Sequence, residues 1–142
     1  MLKKFKEHIK NILPLKHNII VGVSGGVDSI VLCELLRKTK INFSVANLNY
    51  KLRNPDRDLD EIFLKSYCLK NKINFYSMVY DLSIKKNSVQ EKAREIRYNY
   101  FNSLSLKNKF THIFTAHHID DNIETLLINV YRGKKTNVFT GI

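Results

Sequence analysis

The sequence predicts an α/β fold, an open parallel sheet of at least four strands with helices on both faces. Four short runs rich in β-branched and aromatic residues alternate with longer segments whose apolar residues recur at helical spacing. This alternation favours parallel strands joined by helical crossovers. The polar clusters of the chain follow predicted strands, and ligands of such folds bind beyond the carboxyl ends of the strands. We therefore expect the functional site at that edge of the sheet.

The predicted elements follow one another with short connections. An amphipathic helix over residues 2–13 ends near Pro14. The predicted strands cover Ile19–Val23, Phe43–Leu48, Asn74–Tyr80 and Ile113–Ala116. Four further helices are predicted: Asp28–Lys38, Asn54-Pro55 to Leu69, the capping box of Ser88 and Glu91 to Leu104, and Asp120–Tyr131.

Length and composition restrict the class of protein. The 142 residues suit one domain, which we divide into an N-terminal helix over residues 1–17 and a domain over residues 18–142. The longest uncharged apolar run, Ile19–Val23, is too short to span a bilayer, so no membrane partner is expected. Cys33 and Cys68 are too far apart in sequence for a metal knuckle, and two cysteines are too few for a disulfide framework. This cysteine usage favours a reducing cytoplasm as the compartment.

The net charge favours a polyanionic partner. Lys and Arg number 24 against 13 Asp and Glu, which gives a formal net charge of +11. Nucleic acid is the partner that such a charge attracts most, through phosphate contacts and counterion release. Because Lys outnumbers Arg 18 to 6, the codon drift of an AT-rich genome is a competing explanation.

A glycine-rich turn, Ser24-Gly25-Gly26-Val27-Asp28-Ser29, follows the first predicted strand and begins a helix. Glycines let the backbone approach an anion, and N–H groups at a helix start point toward it. Ser24 and Ser29 offer hydroxyl donors, and Asp28 can bind Mg²⁺. The turn is therefore a candidate phosphate-binding loop, and it differs from a Walker A loop because no lysine follows the glycines.

Two other interpretations fit this turn. Gly22-x-Ser24-x-Gly26 has the spacing of the nucleophile elbow of α/β-hydrolases. That elbow comes after several strands, whereas this turn follows the first, and no HGGG-like oxyanion segment accompanies it. A tight turn without a ligand is the plainer interpretation, but it leaves Asp28 and the two serines unexplained.

A second polar cluster follows the fourth predicted strand. It contains His117-His118 and the carboxylates Asp120, Asp121 and Glu124. On the predicted helix these carboxylates fall in the first turn, where the helix dipole favours negative charge, so capping alone is one interpretation. A dinuclear metal phosphohydrolase of the His-Asp type is another, and the remaining histidines provide no matching ligand pattern.

Residues 24–29 match the S-G-G-x-D-S signature of the PP-loop ATP pyrophosphatase superfamily, which this chain resembles. The resemblance implies a Rossmann-like fold in which this loop binds ATP. It also implies that ATP is split between its α and β phosphates and that a substrate is adenylated. The residues implied to contact ATP are Ser24, Gly25, Gly26, Val27, Asp28 and Ser29.

From Val21 onward the chain is similar to one branch of that superfamily, tRNA(Ile)-lysidine synthetase. The similar segments are Leu52-Arg53, Asp60-Glu61, Gln90–Tyr98, Ala116–Thr125, Arg132-Gly133 and Gly141-Ile142. The resemblance implies a ligase that forms a carbon–nitrogen bond between free L-lysine and the wobble cytidine of tRNA(Ile). ATP and Mg²⁺ would be required, and a homodimer is compatible with the resemblance.

The resemblance also implies roles for single residues. Asp28 and Asp121 would bind Mg²⁺, and Asp120 and Glu124 would recognise the lysine ammonium or remove its proton. Arg97 would neutralise phosphate charge, with an ordinary surface charge as the alternative. The implied contacts with tRNA phosphates are Arg53, Arg132, Lys134 and Lys135.

The chain departs from this branch in three respects. Asn47–Arg53 lacks the histidines common after the second strand, and Lys134–Asn137 lacks the usual second glycine. Members of the branch are longer, so we expect a truncated catalytic portion without the following strand and the tRNA-binding segments. Two alternatives stay open: a PP-loop tRNA thiolase, for which paired catalytic cysteines are not visible, and a non-catalytic nucleotide- or RNA-binding fragment.

Overall fold

The computed structural model describes residues 1–51, 56–81, 89–119 and 122–129, and these form a five-stranded sheet with four helices. The strands are β1 (Ile19–Gly22), β2 (Phe43–Tyr50), β3 (Phe75–Tyr80), β4 (His112–Ile119) and β5 (Asn122–Asn129). The helices are α1 (Leu2–Ile12), α2 (Val27–Lys38), α3 (Asp56–Lys70) and α4 (Val89–Asn108). The strand order is β3-β2-β1-β4-β5, with β5 antiparallel to its neighbour and the other pairs parallel.

The predicted parallel sheet with helices on both faces is confirmed. α1, α2 and α3 pack on one face, where Ile9, Leu36 and Leu64 share a cluster with Val45 of β2. α4 covers the other face, with Phe101 packed against buried strand residues. Each of the four predicted strands has a counterpart among β1–β4. Residues 54, 55 and 88, where caps of α3 and α4 are predicted, lie outside the described residues.

The predicted helix over Asp120–Tyr131 is wrong. Residues Asn122–Asn129 form β5, which pairs antiparallel with β4 from Ile119↔Asn122 to His112↔Asn129. The apolar spacing of this segment fits a helix, but a short apolar run with β-branched residues such as Ile123 and Ile128 fits a strand equally well. Pairing with β4 supplies hydrogen-bond partners for the segment's backbone, so the tertiary context decides between the two.

β1 is the buried centre of the sheet. Its residues Ile19, Ile20 and Val21 are 0% exposed. Ile19 and Val21 contact the cluster under α1–α3, and Ile20 contacts the cluster under α4. A continuous β-branched run is what a parallel strand covered on both faces requires.

α1 packs along this core through one apolar stripe. Ile9 is buried, and Phe5 and Leu13 pack beside it, while the lysines of the helix are exposed. The domain division at residue 17 stays a prediction. Within the described part of the chain, no helix is long and apolar enough to cross a membrane.

The two buried thiols predict a pH dependence of stability. Burial raises the pKa of Cys33 to about 12, with the charges of Cys68 and Glu34 adding to the effect, and burial raises the pKa of Cys68 to about 11. Because the folded state retains these protons, the contribution of the neutral thiols is present below the ordinary thiol pKa of about 8.5. This contribution to stability is lost as pH rises from the ordinary thiol pKa toward the folded pKa values, because the thiols of the unfolded chain ionise over that range. We expect the free energy of unfolding, measured by urea denaturation at constant ionic strength, to fall between about pH 8 and 10.5.

Cys33→Ala is the control for this pH dependence. Every other titratable side chain is present in both proteins, so the difference between the two pH profiles reports the contribution of the Cys33 thiol. The variant's unfolding free energy should fall less steeply above pH 8.5, and identical slopes would contradict the prediction.

Candidate functional site

The glycine-rich loop begins where β1 ends between its two longer parallel neighbours, β2 and β4. Gly22, the last residue of β1, pairs with Ala46 of β2 and with Thr115 of β4. Val23 extends the pairing of β1 with β2 by one hydrogen bond, in which its N–H donates to the Ala46 carbonyl at 2.9 Å. The loop is therefore held at the edge of the sheet where the sequence predicts the functional site.

Gly25 has a backbone conformation that needs glycine. Its φ is +93°, a region that side chains other than glycine rarely adopt. A Cβ atom at this position would also lie 2.8 Å from the Cβ of Asp60 on α3. The loop thus approaches α3 at Gly25, where a side chain would meet Asp60.

The two loop serines differ in what they do. The Ser29 hydroxyl is buried and donates to the Gly26 carbonyl at 2.7 Å. Ser24 is exposed, and its hydroxyl oxygen accepts a long hydrogen bond from the Gly26 N–H at 3.4 Å. Ser29 therefore stabilises the start of α2, whereas Ser24 remains accessible to a ligand.

The start of α2 provides an anion-binding backbone. Its N-cap is Gly26, which has no side chain and forms no capping hydrogen bond. The N–H groups in the first turn of a helix attract anions, and a glycine before them allows close approach. These features fit the phosphate groups of a nucleotide.

Asn47 connects β2 to the loop. It is 4% exposed, and its Nδ2 donates to the Val23 carbonyl at 2.8 Å. Its Oδ1 has no hydrogen-bond partner among the described residues. The sequence shows Asn47 only as a departure from the family's histidine, since its contact with the loop depends on strand register.

Asn49 connects β2 to α3. Its buried Nδ2 donates at 3.0 Å to both Oδ1 of Asp58 and Oε2 of Glu61. These bonds fix the turns of α3 from which Asp60 approaches Gly25. Sequence reasoning found Asp60 in a matching segment but assigned it no role. The available signal was its position on the helix that follows β2.

Two carboxylates lie beside the loop and are candidates for a hard cation. Asp28 is half-buried in the first turn of α2, and Asp60 is half-buried against Gly25. Carboxylate oxygens are ligands that suit Mg²⁺, which commonly binds one or two of them together with phosphate oxygens and water. Among the described residues there is no cluster of three acidic, histidine or cysteine side chains that could hold a metal alone. The site therefore fits Mg²⁺ that arrives with phosphate.

Arg97 lies on α4 near the carboxyl end of β2. It is half-buried, and its guanidinium lies 5.9 Å from the centroid of the Tyr50 ring. The Tyr50 hydroxyl donates to the Ala93 carbonyl, which fixes the ring against α4. Stacking on an aromatic face leaves the edge of a guanidinium available for hydrogen bonds.

The remaining predicted site residues are not brought together by the described structure. Glu124 belongs to β5 and pairs with His117 in the strand register, instead of lying in the first turn of a helix. The other six lie outside the described residues: Arg53, Asp120, Asp121, Arg132, Lys134 and Lys135. Their roles stay predictions.

A family model described as a PP-loop domain matches residues 1–142. The chain belongs to this PP-loop family. It is similar to the tRNA(Ile)-lysidine synthase of Streptococcus mutans, with 36% identity over 94% of this chain and 31% of the relative. It is also similar to the tRNA(Ile)-lysidine synthase of Clostridium tetani, with 38% identity over 95% of this chain and 31% of the relative. The relative from Chlorobaculum tepidum is 35% identical over 99% of the chain and 45% of its own length. The PP-loop chain thus spans about a third of the length of the first two relatives.

Two solved structures share the fold of this PP-loop domain. An NH3-dependent NAD synthetase from Campylobacter jejuni superposes with a TM-score of 0.55 at 19% identity, covering 79% of this chain and 51% of that one. An NMN synthetase from Francisella tularensis gives a TM-score of 0.58 at 17% identity, covering 80% of this chain and 53% of that one.

Gly25→Ala should weaken nucleotide binding by the PP loop. The substitution adds a side chain where φ is +93° and the new Cβ would meet Asp60, so the loop must change shape. We expect at least a tenfold weaker Kd for ATP by calorimetry and a loss of stability of about 1–2 kcal/mol.

Gly26→Ala is the matched control. Gly26 has φ −70° and ψ 158°, and a Cβ there would meet only the Ser24 Oγ, at an ordinary 3.5 Å. Its effect on stability should stay below about 1 kcal/mol. Equal losses of stability in the two variants would show that the conformation of Gly25 is not what the loop requires.

Proposed function

We propose that this PP-loop domain binds ATP at residues 24–29 and catalyses, or forms part of the enzyme that catalyses, the ligation of L-lysine to the wobble cytidine of tRNA(Ile). The observation that carries the proposal is the loop itself, which has an obligatory glycine conformation at Gly25 and an uncapped helix start behind it. The named activity of the relatives supports the choice of substrates.

The proposed reaction has two steps. The 2-carbonyl oxygen of the cytosine attacks the α-phosphorus of ATP, the bond from that phosphorus to the bridging oxygen breaks, and pyrophosphate leaves. The lysine ε-amine, having lost a proton, then attacks C2 of the activated base. The bond from C2 to the adenylate oxygen breaks, and AMP leaves with that oxygen.

The loop residues would hold the departing phosphates. Backbone N–H groups at the start of α2 and the exposed Ser24 hydroxyl are donors for the β and γ phosphates. Asp28, in the first turn of α2, and Asp60, beside Gly25, would bind Mg²⁺ together with those phosphates, with Asp121 as a third proposed ligand. Mg²⁺ would supply charge neutralisation of the leaving group. Without a cation, two carboxylates beside the loop would repel the nucleotide.

The other proposed roles fall to residues outside this loop. Arg97 would neutralise charge on the α-phosphate as pyrophosphate leaves. Asp120 and Glu124 would recognise the lysine ammonium or remove its proton. Arg53, Arg132, Lys134 and Lys135 would contact tRNA phosphates. We propose a reducing cytoplasm as the compartment, since Cys33 and Cys68 are free thiols.

A labelling experiment tests the proposal. A transcript of tRNA(Ile) is incubated with the 142-residue chain, ATP, Mg²⁺ and labelled lysine and is then digested to nucleosides. We expect one labelled nucleoside, and release of pyrophosphate and AMP only when ATP, lysine and tRNA are all present. Asp28→Asn should lower pyrophosphate release on the order of 100-fold, whereas Glu7→Gln, the same change on the exposed part of α1, should leave it unchanged.

The other outcomes identify the alternatives. Modification that needs a sulfur donor in place of lysine would indicate a thiolase. Binding of ATP or tRNA without pyrophosphate release would indicate a binding fragment of a longer enzyme. Release of pyrophosphate by Asp28→Asn at the normal rate would contradict the role of this carboxylate.

Arg97→Met tests the proposed arginine. Loss of the charge should slow pyrophosphate release on the order of 100-fold while ATP still binds, because the arginine acts on charge that grows in the transition state. Arg94→Met is the matched control, because Arg94 is exposed on the same helix and lies 5.5 Å from the centroid of the Tyr98 ring. Equal rates for the two variants would assign Arg97 to packing on Tyr50.

A further inference from the structure

Three helix-to-strand turns of the sheet share one sequence pattern. Residues 38–43 read K-T-K-I-N-F, residues 70–75 read K-N-K-I-N-F and residues 107–112 read K-N-K-F-T-H. These turns connect α2 to β2, α3 to β3 and α4 to β4. The proposed reaction uses none of them, since they precede the strands and the loop of the candidate site follows a strand.

Each turn places a lysine in the left-handed backbone region. Lys40, Lys72 and Lys109 have φ values of 59°, 57° and 57°. The residue after each lysine donates its N–H to a carbonyl five residues earlier, at distances of 3.1, 2.9 and 3.1 Å. This is the Schellman helix ending, in which the left-handed position is usually glycine.

The turn geometry does not explain why these positions are lysine. Only the left-handed conformation and the following apolar residue are needed, and that residue packs into the core as Ile41, Ile73 or Phe110. Glycine or asparagine would adopt the conformation with less strain. Recurrence of a strained residue at three equivalent positions is the ground for the hypothesis that the side chain itself has a use.

All three lysines lie at the amino-terminal edge of the sheet, opposite the phosphate loop. The turns precede β3, β2 and β4, and the strand order places β1 between the last two. With about 4.8 Å between neighbouring strands, the lysine-bearing turns extend over about 14 Å. Asn18, just before β1, holds the turn of Lys109 beside β1 by donating to the carbonyls of Asn108 and Lys109 at 3.2 and 3.3 Å.

The charged side chains at this edge are mainly basic, and one of them, Arg37, is paired with Glu34 at 2.8 Å. Residues 14–18, 37–44, 69–74 and 105–111 contain eight Lys or Arg and no Asp or Glu. All three left-handed lysines are exposed, and none forms an ion pair with another described residue. A cavity of about 420 Å³ opens between two of the turns. Its polar lining includes His17, Lys40, Lys72, Asn18, Asn42, Asn71 and Asn74.

We propose that this amino-edge surface, formed by Lys40, Lys72, Lys109 and the cavity beside them, binds the phosphodiester backbone of the substrate RNA. The choice of RNA rests on the proposed function. A row of cations fits a polymer of phosphates better than a single small anion, which needs donors converging on one point. The asparagine carboxamides add hydrogen-bond donors of the kind that contact phosphate and sugar.

RNA affinity can be measured apart from catalysis. Fluorescence anisotropy with labelled tRNA(Ile) transcript, without ATP or lysine, gives the Kd of the 142-residue chain from about 50 to 300 mM salt. In the triple variant Lys40→Asn, Lys72→Asn, Lys109→Asn we expect affinity at 0.15 M salt to fall on the order of 10- to 100-fold. The slope of log affinity against log salt should become shallower by about 2 to 3. Its thermal midpoint should stay the same or rise, because asparagine tolerates the left-handed conformation.

A triple variant on α1 is the control. Lys3→Asn, Lys4→Asn, Lys6→Asn removes the same charge from exposed helix positions. It should change the salt slope by less than about 1. Equal losses of RNA affinity in the two triple variants would show that the effect comes from net charge alone. An unchanged Kd in the triple variant of Lys40, Lys72 and Lys109 would show that the surface does not bind RNA. Either result overturns the proposal.

A lipid experiment tests the other macromolecule that this surface could attract. Exposed leucines, Leu15, Leu69 and Leu106, lie near the basic turns, as they would on a membrane-binding surface. Binding to phosphatidylglycerol vesicles that is lost in the turn variant, with RNA affinity unchanged, would overturn the RNA assignment. The two proposals can fail separately. If no lysine is ligated to the tRNA but RNA affinity falls in the turn variant and not in the α1 variant, the proposed function is wrong and RNA binding by the surface stands.

Discussion

The burial of β1 between two parallel neighbours is the constraint on which the other features depend. Because Ile19, Ile20 and Val21 are 0% exposed, β1 can neither slide nor tilt without moving β2 and β4. Its fixed end places Val23 beside β2 and starts the loop at a defined point. Gly22 is packed closely against α4, because a Cβ added to it would lie 2.5 Å from the Phe101 ring. The loop therefore emerges from a base that is packed on both sides.

Most of the fold follows from local pattern, because the pattern and the packing agree. β-branched runs mark β1–β4, and the apolar stripe of α1 places Ile9 in the core. The segment after Ile119 is the exception, since its apolar spacing allows a helix while its pairing partner selects a strand. A sequence alone does not contain that partner's position, so this element could not be derived from spacing.

The candidate site divides in the same way. The glycines and serines of the loop are recognisable because they are contiguous, whereas Asn47, Asn49 and Asp60 matter through contacts across strand and helix boundaries. The different roles of Ser24 and Ser29 also depend on geometry. The Ser24 hydroxyl is exposed, whereas the Ser29 hydroxyl donates to the Gly26 carbonyl. Sequence reasoning identifies which groups are present, and packing decides which of them remain available.

The burial of both cysteines has a practical consequence. The chain contains two cysteines in total, and Cys33 and Cys68 are both 0% exposed. Buried thiols of raised pKa carry little thiolate at neutral pH and react slowly with maleimides. A single cysteine introduced on the surface could therefore carry a fluorophore or spin label without prior removal of the native pair. With one such cysteine at each of two sheet edges, distances between those edges could be measured in solution.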